Sequence, residues 1–512
     1  MFELSKLLLS SYFLVFPLLI LLFIIKIFSN KPKKTCQTTT NTTIFPKSYR
    51  MIGHLLAIYQ NRHQRFQWFS KLLLNSPTGT IVIHHPFGIR SIETGNPVNV
   101  EHILKTRFPI YQKGPNQSTI LRDFLGDGIF NVDGEMWKFQ RQIASYEFNT
   151  KSLRKFVKNV VDFEVSDRLI PILSEAARNQ TVLDLQDILT RFAFDNICKI
   201  AFGYDPEYLS LSLPQAEFAD AFEDAVMISS DRARAYFSNL WKIRRFLNIG
   251  SEKKLKEAVN VVRNFAVSIV RQKKQEMLQT SQGFTSEDLL SRFLKSGHSD
   301  EKFVTDIVIS FMLAGRDSTS AALTWFFWLL HKNKHVEEEI LREIVNKKTE
   351  NCSVFEEVKE MVYTHAALCE SMRLYPPVSV DAKEAMANDV LPDGTRVNKG
   401  MWVMYIPYSM GRMESIWGLD WAEYRPERWL EIQDGEKWKF VAKDQYSYPV
   451  FQAGPRVCLG KEMAFLQMKR VVAGVLERFQ VVPVVEDGVE PVYVPHLTSK
   501  MLGGLPVRIE ER

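Results

Sequence analysis

The chain has 512 residues, 46% of them hydrophobic and 24% charged, enough to bury a large core and, by length alone, two or more ordinary domains. Its net charge is only +6, and no lysine–arginine block is interleaved with aromatics, which argues against nucleic-acid binding. The five cysteines (Cys36, Cys198, Cys352, Cys369 and Cys458) are odd in number, scattered and free of any C-x-x-C, which argues against a disulfide framework or zinc site and for a reducing compartment.

Residues 7–25 are almost wholly apolar. A helix of about 20 such residues spans a bilayer core of roughly 30 Å. The run is longer than the apolar part of a cleaved signal peptide and has no small-residue cleavage site. Lys26, Lys31, Lys33 and Lys34 follow it and only Lys6 precedes it, so the positive-inside rule puts the rest of the chain in the cytosol. Residues 1–30 are therefore expected to be a single-pass signal anchor in the endoplasmic reticulum membrane, with the sequon at Asn41 left unglycosylated. A buried core helix is the competing reading; the flanking lysines oppose it. Residues 31–45 form a Thr/Asn linker too poor in apolar residues to pack, and residues 46–512 are the folded body.

Residues 81–83 and 91–94, around a His85-Pro86-Phe87-Gly88 turn, suggest a small sheet. Trp137 and Arg141 follow a glycine-rich loop; four apart, they share one helix face, as a core aromatic and a surface arginine also would. Residues 148–274 carry helix-period hydrophobics. Lys138, Arg141, Lys151, Arg154, Lys155 and Lys158 form a basic run, by default a solvated surface and otherwise a docking face for an acidic flavoprotein.

Residues 303–330 read as one long apolar helix. Asp306, Arg316 and Asp317 oppose a membrane span, because charge near a bilayer centre is costly. Such a helix instead runs through the middle of a large protein. Within it, Ala314 and Ser318 face the same way, and Gly315 allows a flat ligand to approach. Asp317 and Ser318 form an acid–alcohol pair able to pass protons; the competing reading has Ser318 and Thr319 back-bond within the helix. Glu370 and Arg373, three apart, can pair on another helix. Leu374-Tyr375-Pro376-Pro377 follows, then Pro426-Glu427-Arg428-Trp429, and residues 390–397, 400–406 and 480–494 read as strands.

The last stretch is Phe451 to Gly460, F-Q-A-G-P-R-V-C-L-G. Gly454-Pro455 enforces a turn, and an amphipathic helix starts after Gly460. Cys458 thus lies at a helix N-terminus, where free N–H groups and the helix dipole favour a thiolate, either a metal ligand or a nucleophile.

This stretch resembles the haem-binding loop of the cytochromes P450, F-x-x-G-x-R-x-C-x-G, with Phe451, Gly454, Arg456, Cys458 and Gly460 in place. Three further motifs stand in family order: W-x-x-x-R at Trp137 and Arg141, (A/G)-G-x-(D/E)-T from Ala314, and E-x-x-R at Glu370 and Arg373. The resemblance covers essentially the whole chain. It implies one mostly α-helical domain with small β-sheets, preceded by the transmembrane helix, enclosing haem b with Cys458 on the iron. Trp137, Arg141, Arg456 and Lys383 would serve the propionates, and Phe451, Gly460 and Ala314 would also line the haem. Asp317, Ser318 and Thr319 would move protons, Ser318 standing where the family has threonine. Glu370, Arg373 and Arg428 would form a stiffening triad. Electrons would come from NADPH through NADPH–cytochrome P450 reductase, since no flavin or nicotinamide motif is present.

The words around Gly126, Asp317 and Cys458 are similar to the plant fatty-acid ω-hydroxylase group, which implies a fatty acid hydroxylated at or near its terminal carbon. Phe124, Phe130, Phe311, Val378 and Leu497 are candidate pocket residues, and Arg90, Lys113 or Arg122 a carboxylate anchor, a choice the sequence leaves open. Alternatives are a jasmonoyl-isoleucine conjugate or steroid side chain as substrate, or a haem-thiolate isomerase or dehydratase. A membrane-anchored haem carrier is disfavoured by the acid–alcohol pair.

Overall fold

The computed structural model describes residues 45–148, 156–214, 217–234, 240–279, 288–297, 300–347, 353–433, 437–485 and 488–512. The expected anchor, the linker up to residue 44, Cys36, Cys352, Lys151, Arg154 and Lys155 lie outside the described residues. Among the described residues, no helix is long and apolar enough to cross a membrane.

Strands β1 (Thr80–His84) and β2 (Arg90–Thr94) form an antiparallel hairpin. A two-residue strand, Tyr111–Gln112, leads into helix α1 (Gly114–Leu125), and α2 (Gly134–Ser145) follows. Helix α3 (Leu185–Phe202) starts at Asp184, whose carboxylate accepts from the Gln186 N–H at 2.9 Å. Helices α4 (Glu217–Arg234), α5 (Ser251–Gln279), α6 (Glu301–Lys332) and α7 (Val362–Leu374) come next. Strands β3 (Asp381–Ala385) and β4 (Trp402–Tyr405), helix α8 (Lys461–Leu476), and strands β5 (Phe479–Pro483) and β6 (Pro506–Glu511) complete the frame.

Helix α6 is the axis, about 48 Å long at a rise of 1.5 Å per residue. Asp300 caps it, accepting from the Phe303 N–H at 2.8 Å. Its first half lies in a core shared with α1, α3, α4 and α5. Its second half lies in another, with α7, α8, β5 and β6. Being surrounded, it is apolar on nearly every face. The buried charge of Asp306 is matched by Arg263 of α5 at 2.8 Å and by the Asp127 N–H at 2.9 Å.

The hairpin extends into a five-stranded sheet in the order β1, β2, β4, β3 and Tyr111–Gln112, with β2 and β4 parallel and the other pairs antiparallel. Tyr111 pairs with Ala385 and Gln112 with Glu384, so Lys113 continues toward Lys383. Strands β5 and β6 pair in a second small sheet. Two expected strands are broken up. Within residues 390–397, Asp389–Val390 pairs with Arg396–Val397 around a turn at Gly394, and Tyr493–Val494 pairs with Lys500–Met501, apart from β5.

Candidate functional site

The segment from Phe451 to Gly460 is a tight loop ahead of α8. The Cys458 N–H donates to the Phe451 carbonyl at 2.8 Å, and the Val457 N–H to the Gly454 carbonyl at 3.1 Å. Gly454 has φ 63°, and a Cβ there would lie 2.2 Å from the Leu104 carbonyl oxygen, so glycine is required for the loop to lie against that backbone. The Phe451 ring packs 5.2 Å from that of Phe465 on α8, which fixes the loop to the helix.

Cys458 is exposed by surface area, yet surrounding chain desolvates its sulfur. Burial pushes the thiol up, while the Gly460 N–H, Arg141 and Lys461 pull it down; burial wins, contrary to the expectation from the helix N-terminus alone. A coordinated metal would deprotonate such a thiol outright.

On α6, every residue from Val304 to Leu330 is buried except Ala314, Gly315 and Ser318. Ala314 and Ser318, four apart on one face, leave a narrow, partly covered window in the middle of the helix, between its two cores. Gly315 has a different reason from the one expected. A Cβ there would lie 2.5 Å from Ile197 of α3, so its smallness serves helix packing.

Asp317, beside the window, is fully buried. Arg316 holds one carboxylate oxygen at 2.6 Å, and the Thr498 hydroxyl donates to the other at 3.1 Å. The Arg316 guanidinium also lies 5.0 Å over the Phe222 ring of α4. The Ser318 hydroxyl donates back to the Ala314 carbonyl at 2.6 Å, and Thr319 is buried. Ser318 Oγ still has lone pairs with which to accept.

Helix α2 brings Trp137 and Arg141 to the cysteine loop. Arg141 donates to the Val457 carbonyl at 2.7 Å, and the Arg456 guanidinium lies 4.5 Å over the Trp137 ring. Arg456 also donates to Asp133 at 2.7 Å and to the Val132 carbonyl at 2.9 Å. Lys383 is buried 2.8 Å from Asp381, which also takes Lys113 and the Tyr405 hydroxyl, each at 2.9 Å. Burial pushes Lys383 down to about 7 against the pull of Asp381. Burial would raise Asp381, but Lys113 and Lys383 outweigh it and hold that carboxyl well below its usual range. Arg141, Arg456 and Lys113 therefore outnumber Asp133 and Asp381 even before Lys383, only partly charged near pH 7, is counted. This donor set, a thiol with surplus cations, fits haem, whose iron takes a thiolate and whose propionates take cations.

The structure also brings Glu370, Arg373 and Arg428 together. Arg373 makes a bidentate pair with Glu370, both bonds at 2.8 Å, and Arg428 reaches the same carboxylate at 3.1 Å. The Trp429 Nε1–H donates to it at 3.0 Å. Arg373 further donates to the Trp421 and Glu423 carbonyls at 2.8 and 2.9 Å.

Phe124 and Phe311 belong to the core around the first half of α6, Leu497 packs against that core, and Val378 is half-buried. Phe130 differs: it is 39% exposed, at the surface rather than among those apolar residues. Of the anchor candidates, Lys113 is committed to buried Asp381, Arg122 lies at the surface in an exposed pair with Asp127 at 3.1 Å, and Arg90 is exposed on β2. Asp133, Asp381 and Thr498 had no signal in the motifs; each acts on a partner distant in sequence.

The family model described as Cytochrome P450 matches residues 45–504. Cytochrome P450 94A2 of Vicia sativa is 61% identical over 485 residues, 94% of each chain. Cytochrome P450 94A1 of Vicia sativa is 59% identical over 473 residues, 92% of this chain and 91% of that one. Cytochrome P450 94B1 of Arabidopsis thaliana is 50% identical over 483 residues, 94% of each.

Proposed function

The chain belongs to the cytochrome P450 family, and from that premise we propose that it hydroxylates fatty acids at or near the terminal carbon. It is a cytochrome P450 monooxygenase, with haem as cofactor, a reductase as electron source and a lipophilic substrate. Bound as haem b, the cofactor would supply oxygen activation, which a thiolate ligand favours.

The chain's own residues have these roles. Cys458 would be the iron ligand. Arg456, Trp137, Arg141 and Lys383 would receive the propionates, with Phe451, Gly460 and Ala314 as walls. Asp317 relays protons toward the haem side of α6, and Ser318 and Thr319 supply hydroxyls next to it. Glu370, Arg373 and Arg428 keep the loop side rigid. The observation that carries the reading is the window of Ala314 and Ser318 beside buried Asp317. The apolar cluster of Phe124, Phe311 and Leu497 suits an alkyl chain. The acid–alcohol pair favours this over a haem-thiolate isomerase or dehydratase.

NADPH–cytochrome P450 reductase docks on the basic face that includes Lys138 and Lys158, both exposed. Residues 1–30 anchor the chain in the endoplasmic reticulum membrane, residues 31–45 link it, and residues 46–512 form the cytosolic catalytic domain. The test is to incubate membranes carrying the protein and reductase with NADPH and lauric, oleic, jasmonoyl-isoleucine or steroid substrates, reading products by mass spectrometry. ω-Hydroxylated fatty acid is the expected product; none from lauric or oleic acid would sink the substrate assignment.

A further inference from the structure

Hydroxylation at the end of an acid requires the carboxylate to be held far from Asp317, and the cation that does so is not among those considered from the sequence. We propose that Arg234, with His496 beside it, binds the carboxylate of the acid substrate and so sets which carbon reaches the window on α6. This rests on the fatty-acid reading above.

Helix α4 crosses α6 where Phe222 lies under Arg316, next to Asp317. Arg234 is the last residue of α4, about 18 Å further along the helix at 1.5 Å per residue. There it donates to the Pro495 carbonyl and stands 3.3 Å from His496 Nδ1. The same segment returns to the acid, because Thr498 donates to Asp317. Pro495 to Thr498 lies in the loop that joins Tyr493–Val494 to Lys500–Met501, with bends at residues 496–498, so it spans less than the roughly 10 Å of three extended residues. The rise along α4 gives a separation suited to a medium-chain acid rather than a short one, and the loop keeps its far end tied to Asp317.

The charges around this end single out Arg234. Arg232 is buried and committed to Glu252 and to Asp123 at 2.9 Å. Lys500 pairs with Glu223, and Arg316 with Asp317. The carboxylate partner of Arg234 is Asp231, 2.7 Å away and 64% exposed, three residues earlier on the same helix. Such an exposed pair is weak, and a substrate carboxylate can take its place. Arg65 donates to the Arg234 carbonyl at 3.2 Å, adding a second guanidinium to this helix end. Burial and Arg234 lower the His496 pKa, so its ring is neutral at pH 7 and offers a hydrogen bond rather than charge.

The experiment uses the full-length, haem-loaded protein and two probes of equal length, lauric acid and dodecanol, titrated by the substrate-induced absorbance shift. Arg234→Gln is expected to weaken lauric acid at least ten-fold, leave dodecanol within two-fold, and spread the product away from the terminal carbon. Arg234→Lys, which keeps the charge, should retain most of the affinity. Unchanged affinity for lauric acid in Arg234→Gln, or an equal loss for both probes, overturns the anchor alone. Wild-type protein that neither binds nor hydroxylates lauric acid overturns the fatty-acid reading, and the anchor with it.

Discussion

The Thr498 hydroxyl donates to Asp317 Oδ2 at 3.1 Å, so the C-terminal hairpin holds the acid of helix α6 across 181 residues of sequence. Leu497, next to Thr498, packs against the apolar core in which Phe311 and Phe124 lie. Substrate pressing on Leu497 would therefore reach Asp317 through one hydrogen bond. A hydrogen bond to a charged group is worth about 1.5–3 kcal/mol. Thr498→Val should keep the thiolate spectrum and lower product formed per NADPH several-fold, with peroxide making up the difference. Asp317→Asn should keep the spectrum and lose most turnover. Unchanged coupling in Thr498→Val would show that the hydroxyl has no part in holding the acid for use.

Arg373 and Glu370 are both wholly buried, and Arg373 also bonds the carbonyls of Gly411, Trp421 and Glu423. Removing one member of such a pair leaves an uncompensated charge and costs about 3–5 kcal/mol. Arg373→Ala should yield little haem-loaded protein. Arg373→Lys should not rescue it, because a single ammonium cannot match the planar fork. Thermal unfolding of the loaded fraction reads both variants, and a wild-type midpoint for Arg373→Lys would refute the need for the fork.

What was legible beforehand divides by sequence distance. Phe451, Gly454, Arg456, Cys458 and Gly460 fall within ten residues, where turn chemistry and a helix start are local. Ala314 and Ser318 follow from the helical period, and Glu370 with Arg373 from spacing. Arg428 joined that pair only through the resemblance. Asp381 was invisible because its partners arrive by strand register: Tyr111–Gln112 pairs beside β3, which delivers Lys113 to it. Gly315 was marked for the right smallness but the wrong neighbour, since periodicity does not say that Ile197 of α3 lies across from it. The two-part fate of residues 480–494 likewise needs Lys500–Met501 to pair with Tyr493–Val494, a contact that β-propensity does not encode.

Cys458 makes the most direct test of the cofactor assignment. Cys458→Ser should lose the reduced carbon-monoxide spectrum typical of a thiolate ligand, along with all activity. The loop itself should persist, because its turn is closed by backbone bonds from Cys458 and Val457 and by Gly454. Circular dichroism should therefore be little changed. A normal thiolate spectrum in the variant would place the ligand elsewhere.

Glu93 gives a pH signature that is independent of the haem. It is buried in β2, with Ile81 of β1 and Met404 of β4 as its strand partners. Burial raises its carboxyl to about 7, with Arg65 pulling the other way. Because the folded pKa lies above the unfolded one, the folded state keeps a proton that the unfolded chain releases. This contribution is fully present below about pH 4.5 and is lost as pH rises through about 7. The displacement corresponds to something on the order of 3 kcal/mol. Glu93→Gln, which cannot ionise, should therefore melt above the wild type at about pH 8, the gap closing toward about pH 4.5. Titrations of His54 and His85, present in both proteins, largely cancel in that comparison. A gap that stayed constant across the range would assign the effect to the packing of the amide and not to a proton.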